Sequence, residues 1–232
     1  MMIIKSTSPA LTVKAIFSDF YGTLVHEDGA VIKRITKEIA EPGTTDNTSE
    51  IGGFWWREFQ SSLEKSFGDN FKTQRELEFQ SLRKTIEHFH STADAGILSE
   101  LMFDFWVKPP AFEDSKPFFE QCGLPVYIVS NIDRQDVCRA VEYHGFTPAG
   151  IFTSEDARAY KPRSEIFLLA LESTGLKPHE VIHIGDSLSS DVAGAQAVGI
   201  RALWLNRNSR EVPHGVLSVK SLTEALAELN AE

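Results

Sequence analysis

Four apolar runs in this chain end on, or lead into, residues able to do chemistry. Asp19 closes a run at 13–20, Ser130 and Asn131 follow one at 126–129, Lys161 lies in the loop after one at 150–153, and Asp186 follows one at 181–185. In open parallel sheets ligands bind outside the carboxyl ends of the strands, so residues at those ends share one mouth. A carboxylate there can act as a nucleophile that forms a covalent acyl intermediate. A second carboxylate, helped by Asp191 and by a backbone carbonyl after Asp19, can hold Mg2+, a hard cation that takes few carboxylates plus waters and substrate oxygens. Ser130 and Lys161 can then bind and neutralise the oxygens on which charge accumulates. Taken singly, Asp19 or Lys161 is more often a cap or a surface charge; their order and strand-end placement carry the reading.

The elements that must position these groups follow from periodicity. Short β-rich runs at 125–130, 150–153, 181–185 and 200–205 alternate with helical segments, which argues for a parallel sheet. Pro162 and Gly175 bracket a helix over 163–174, and Ser221 with Glu224 forms a capping-box pattern ahead of Leu222, Leu226 and Leu229. Between 28 and 110 the signals are helical. Val31, Ile32, Ile35 and Ile39 make one stripe, Trp55, Phe59, Leu63 and Phe67 a second, Phe79, Leu82, Ile86 and Phe89 a third, and Leu98, Leu101, Met102 and Phe105 a fourth. Pro109 and Pro110 close the segment. The predicted architecture is an α/β fold: a doubly wound parallel-sheet core over 1–27 and 113–232, interrupted by a helical-bundle cap over 28–112.

Composition sets the limits of function. The 232 residues exceed one average domain and can bury a sizeable core. With 23 Lys and Arg against 33 Asp and Glu, the net charge of −10 repels a phosphate backbone, so a nucleic-acid partner is excluded and a small anionic substrate must be met by local charge. Cys122 and Cys138 are too few for a disulfide framework, and the start of the chain is broken by Lys5, Ser6, Thr7, Ser8 and Pro9 before any leader-like or membrane-spanning run forms. A cytoplasmic protein without a membrane partner, monomeric or homodimeric, is expected.

The motifs resemble those of the haloacid dehalogenase superfamily. Asp19-Phe20-Tyr21-Gly22-Thr23-Leu24 is similar to its first motif and 126–131, with Ser130, to its second. Tyr160-Lys161-Pro162 with Phe167 is similar to the third, and Ile184-Gly185-Asp186-Ser187 through Asp191, Gly194 and Gly199 to the fourth. The helical insertion after the first motif is similar to the family's helical-bundle cap. The resemblance implies a Rossmann-like hydrolase with Asp19 as nucleophile. It implies Mg2+ held by Asp19, the Tyr21 backbone carbonyl and Asp186, with Asp191 supporting from behind or through water. Ser130 and Lys161 would serve the reaction, and Thr23 and Asn131 the substrate.

One position departs from the phosphatases of the superfamily. Their first motif carries Asp-x-Asp, the second Asp cycling as acid and base, whereas Tyr21 stands here. A phenol with a pKa near ~10 is a poor substitute, and loss of general acid–base help forfeits ~100-fold to ~10,000-fold. Tyr at this place resembles the 2-haloacid dehalogenases, whose halide leaves unprotonated, and Trp56-Arg57 resembles the cap segment that sets an Arg on their substrate carboxylate. Arg57 serves equally as the polar edge of an aromatic helix. Against dehalogenation stands Asp186, where those enzymes generally carry Ser, and an acid pair facing each other across one mouth itself calls for a cation. A Mg2+-dependent hydrolase of a small phosphorylated molecule is therefore expected, with 2-haloacid dehalogenase as the alternative and a weakened binding or regulatory protein as a third reading.

Other polar residues are read as structural. Asp133 is placed as the N-cap of a helix beginning at Arg134, His183 as a strand residue facing a helix, and His88 and His90 as too poorly aligned for a metal pair. Phe54, Trp55, Trp56 and Trp106 fit bundle core better than a pocket lining.

Overall fold

The computed structural model describes residues 13–230. The segment 1–12, on which the expectation about a leader rests, lies outside the described residues. Six parallel strands, β1 (Ala15–Ser18), β2 (Val126–Ser130), β3 (Gly150–Thr153), β4 (Val181–Gly185), β5 (Arg201–Leu205) and β6 (Ser218–Val219), form one sheet in the order β3-β2-β1-β4-β5-β6. The doubly wound core is thus present, with β6 as a short edge strand that periodicity did not reveal. Strand β1 is shorter than its apolar run, because the chain turns at Asp19 and Phe20 packs into the core from a loop.

Alternation along the strands sends side chains to two apolar layers. Ile16, Ile128, Ile182, Ile184 and Leu203 face α5 (Ser115–Gln121), α6 (Arg134–His144) and α10 (Leu222–Asn230). Phe17, Val129, Val181 and Trp204 face α8 (Ser164–Thr174), which follows the single-turn α7 (Ser154–Ala157), and α9 (Gly194–Ala197). A π-helical turn, Leu188–Ala193, leads into α9 and carries Asp191. Ser221 accepts from the Glu224 N–H as its pattern predicts, but the Glu224 carboxylate reaches the Lys220 N–H, and the Leu222 N–H donates to Asp114.

Four helices, α1 (Gly29–Ala40), α2 (Thr48–Glu64), α3 (Gln74–His88) and α4 (Ala95–Val107), fill the interval between β1 and α5. Ile35, Ile39, Ile51, Trp55, Leu82, Ile86, Leu98, Met102 and Trp106 bury their stripes in a layer continuous with one face of the sheet. No helix among the described residues is long and apolar enough to cross a membrane.

The cap is tied to the core by polar contacts that sequence periods do not show. Asp133 makes no side-chain cap to its own helix α6. Its carboxylate accepts instead from the Gln74 and Arg75 N–H groups at 2.7 and 3.0 Å, so it satisfies the free donors at the start of α3, a helix of the cap. Arg75 in turn grips Asp136 with two bonds at 2.8 and 2.6 Å. Where the chain enters and leaves the cap, Val25 bridges Ala111, and Arg207 joins the two linkers by donating to the Thr23 carbonyl and to both oxygens of Asp114. The 207–210 basic loop is accordingly spent on internal contacts.

Candidate active site

The three central strands deliver three functional groups to one edge of the sheet. Ser18 pairs with Ile128 and with Ile184, so Asp19, one residue on, and Ser130 and Asp186, two residues on, come to the same edge of the sheet. The Asp19 N–H donates to the Ile184 carbonyl, which fixes the turn. Gly22 then brings the loop against Asp186. Its φ of +80° suits glycine, and a Cβ there would lie 2.6 Å from the Asp186 carboxylate.

Lys161 stands at the centre of the charge. Its Nζ donates to Asp19 Oδ1 at 2.7 Å, to Asp191 Oδ1 at 2.6 Å and to the Val129 carbonyl at 3.0 Å, which uses all three ammonium protons. Asn131 positions this lysine: its Oδ1 accepts from the Lys161 N–H at 2.6 Å and its Nδ2 donates to the Lys161 carbonyl. Asp191 is further bonded by His183 Nε2 at 3.0 Å and by the Ser187 N–H at 3.0 Å. Against the desolvation that would raise it, Lys161 and His183 hold Asp191 below the usual carboxylate range. For Asp19 burial is the larger effect and raises its carboxyl, with Lys161 pulling against it and Asp191 adding to it.

Asp186 has no such partner. Thr23 Oγ1 lies 3.5 Å from its Oδ1, while Trp204 Nε1 and Arg210 hold only its backbone carbonyl, each at 2.8 Å. Burial first, then Asp19 and Asp191, push its carboxyl up to about 8. Asp19, Asp186 and Asp191 offer carboxylate oxygens within 4.8 Å of one another, against the single ammonium of Lys161. Crowded hard oxygen donors, one of them raised for want of a counter-charge, fit a divalent cation of the Mg2+ kind.

A cavity of about 260 Å³ opens over these groups. Asp19, Ser130, Asn131, Lys161, Asp186 and Asp191 line its floor, and Tyr21, Asp28, Trp56, Gln60, Gln74 and Trp106 line the wall. Tyr21 turns its hydroxyl away from a leaving-group role by donating it to the Trp106 backbone carbonyl at the end of α4. Burial raises this phenol well above its ordinary value, with the nearby acids adding to the effect. Thr23 is wholly buried against Asp186 and is not part of the cavity wall. Nor is Arg57, which is exposed with its guanidinium over the Phe54 ring, so the structure does not bring it to the substrate carboxylate position expected of it.

Several working residues escaped sequence reasoning. His183 holds Asp191 and also packs edge-on to Phe167, so the expected strand residue facing a helix is in addition a positioning residue. Trp204 and Arg210 clamp Asp186 from its backbone side, and no local motif signals either. Trp55 and Trp106 are buried in the bundle as expected, but Trp106 also lines the cavity wall together with Trp56, which is 60% exposed.

A family model of haloacid dehalogenase-like hydrolases matches residues 13–199. The chain is 34% identical over 128 residues to haloacid dehalogenase-like hydrolase domain-containing protein 3 of Danio rerio, covering 52% of this chain and 51% of that protein. It thus spans about half the length of that relative. It is 23% identical over 214 residues to a phosphoserine phosphatase of Thermus thermophilus, covering 89% of this chain and 75% of the relative. To haloacetate dehalogenase H-2 of a Moraxella species it is 26% identical over 202 residues, covering 84% and 86%. In fold it is similar to the L-2-haloacid dehalogenase of Xanthobacter autotrophicus, with a TM-score of 0.74 at 16% identity, covering 94% of this chain and 99% of that one.

Proposed function

The chain belongs to the haloacid dehalogenase-like hydrolases, and we propose that it is a Mg2+-dependent phosphatase of a small phosphorylated molecule, with Asp19 as the nucleophile. The observation that supports this reading is the raised, cation-free Asp186 beside Asp19 and Asp191, a surplus of carboxylate that suits a metal-assisted reaction on a phosphate. Asp19, Asp186 and the Tyr21 backbone carbonyl would hold the ion, with Asp191 behind them. Bound there, Mg2+ would supply Lewis acidity towards the phosphoryl oxygens.

The chain's own groups account for the rest. Lys161 orients Asp19 through one bond and spends its other two on Asp191 and a carbonyl, so it sets the attack line while neutralising the acid pair. The Asp19 oxygen attacks phosphorus, the bond from phosphorus to the leaving oxygen breaks, and the departing oxygen takes its proton from water. A water then attacks the acyl phosphate, and inorganic phosphate leaves as Asp19 is regenerated. Ser130, which lines the cavity floor, would donate to a phosphoryl oxygen. With the Tyr21 hydroxyl committed to Trp106, the first motif itself offers no acid in place of the missing aspartate, which favours substrates whose leaving oxygen is weakly basic.

The competing reading, 2-haloacid dehalogenase, finds no free cation for the substrate carboxylate among the described residues that line the cavity: Arg57 lies elsewhere and Lys161 has no proton to spare. Phosphate release from p-nitrophenyl phosphate, abolished by EDTA and restored by Mg2+, is the expected result. Halide release from L-2-chloropropionate that is indifferent to EDTA would overturn it, and neither turnover, with Mg2+ still bound, would leave a binding protein.

Tyr21 supplies a second expectation. Tyr21→Phe removes a buried hydrogen bond between core and cap and should cost about 1 kcal/mol of stability. Phosphate release should change by less than about threefold, because a phenol acting as acid or base would instead be worth ~100-fold or more. Chemical denaturation and steady-state kinetics on one preparation separate the two effects.

A further inference from the structure

Beside the reactive cavity the cap encloses a second hollow of about 80 Å³. The two share Asp28, Trp56, Gln74 and Trp106 as walls, so whatever hangs from a bound phosphate on the cap side has this hollow next to it. Its lining is aromatic and acidic: Trp55, Trp56, Phe59 and Trp106 surround Asp28 and Glu78. No Lys, Arg or His is among the described residues that line it.

Glu78 is the feature that asks for an explanation. It is 4% exposed, and its Oε1 has no hydrogen-bond partner. Burial, and then the charge of Asp28, push its carboxyl up to about 8. Asp28 is itself raised by burial, against a long 3.5 Å bond from Trp106 Nε1 and a bond from its own backbone. A buried acid without a partner is costly, and a second acid beside it compounds the cost. As a packing solution the pair has nothing to recommend it; as a receptor for positive charge it has two carboxyls, three indole rings and low dielectric. A neutral hydrocarbon occupant would leave Glu78 unmatched.

We propose that this hollow binds the cationic end of the substrate, and that the substrate is a small phosphomonoester whose leaving group carries an ammonium. The proposal rests on the phosphatase reading and narrows it to a substrate class. It also suits the missing acid. A positive charge close to the departing oxygen stabilises the negative charge that develops there, so the leaving group brings some of the help that Tyr21 does not give.

The test compares phosphocholine with 3,3-dimethylbutyl phosphate, in which carbon replaces the charged nitrogen at nearly the same shape. With Mg2+ present, kcat/KM for phosphocholine is expected to exceed that for the neutral ester by about 30-fold, the scale of a desolvated cation–π contact. Glu78→Gln, which removes a buried acid and should fold, is expected to cut that ratio about tenfold, since the ratio cancels any general loss of activity. A wild-type ratio near one overturns the proposal while leaving the phosphatase reading intact. A second measurement does not depend on turnover: choline alone should quench tryptophan fluorescence saturably, and Glu78→Gln should weaken it. Saturable choline binding without hydrolysis of any ester would uphold the cation site and sink the phosphatase reading; absence of saturable choline binding overturns the site.

Discussion

Asp19→Asn is expected to lower phosphate release at least about 10,000-fold while leaving the thermal midpoint, measured in EDTA, no lower than that of the parent chain. The first half follows from chemistry, since an amide oxygen cannot carry the transferred phosphoryl group as a carboxylate does. The second half follows from the charge balance around Lys161. Asp19 and Asp191 both lie within hydrogen-bond reach of one ammonium, and Asp191 has His183 and the Ser187 N–H as well. Burial raises the Asp19 carboxyl, which means that charging it in place is unfavourable on its own account. Asparagine keeps the shape and an acceptor for the lysine, and it leaves Lys161 and Asp191 as a balanced buried pair. Working in EDTA matters, because a ligand that binds only the folded state would otherwise add its own stabilisation to the parent. Turnover near the parent level would remove Asp19 from the nucleophile role. A midpoint several degrees lower would mean that its charge is structural.

The fold was legible in the sequence where local pattern and burial agree. Strands β3 and β4 begin and end where their apolar runs do, because each run is bounded by polar or turn residues. Four helices stand where the four cap stripes lie, although Phe67 falls beyond the end of α2 and both Phe67 and Phe79 are exposed, so periodicity overran the buried face there. The reactive groups were legible because strand ends in a parallel sheet are forced to one edge whatever the loops do. What the sequence hid depended on rotation about an axis or on distant partners. Trp56 and Arg57 are neighbours in one helix and therefore point about 100° apart, so Trp56 can reach the cavity only by turning Arg57 away from it. The fate of the Tyr21 hydroxyl is decided by Trp106, 85 residues later. Asp133 sits where an N-cap belongs and caps a different helix, which no spacing within its own segment could disclose. His183 was nearer to being readable: strand alternation sets it opposite Ile182 and Ile184, on the layer that contains Phe167 and Val192 beside Asp191.

The largest dependence on conditions should come from Asp186. Burial and the neighbouring Asp19 and Asp191 push its carboxyl up to about 8, far above the 3.8 of a free aspartate. A metal ligand must be deprotonated to bind, so below pH 8 each Mg2+ that enters displaces one proton. One proton per ion makes affinity rise about tenfold per pH unit well below pH 8 and about 50-fold between pH 6 and pH 8, with a plateau above. The metal-free protein should respond in the opposite sense. A carboxyl whose folded pKa is raised stabilises the fold fully below its unfolded pKa and loses that contribution as pH climbs through about 8. Thermal midpoints in EDTA should therefore fall across this window, and Mg2+ should restore them most at its upper end. Four other raised carboxyls contribute as well: Asp19 and Asp28, both raised by burial, Asp133 at about 6 between core and cap, and Glu78 at about 8 in the hollow. Asp186→Asn separates them: it should weaken Mg2+ at every pH and flatten the slope of affinity, whereas a slope that survives would move the titrating group away from the metal. Calorimetric titration with Mg2+ in two buffers of different ionisation enthalpy counts the released proton directly. A count near zero at pH 6.5 would show that Asp186 is already ionised there and that the charge surplus used to argue for the cation is smaller than the geometry implies.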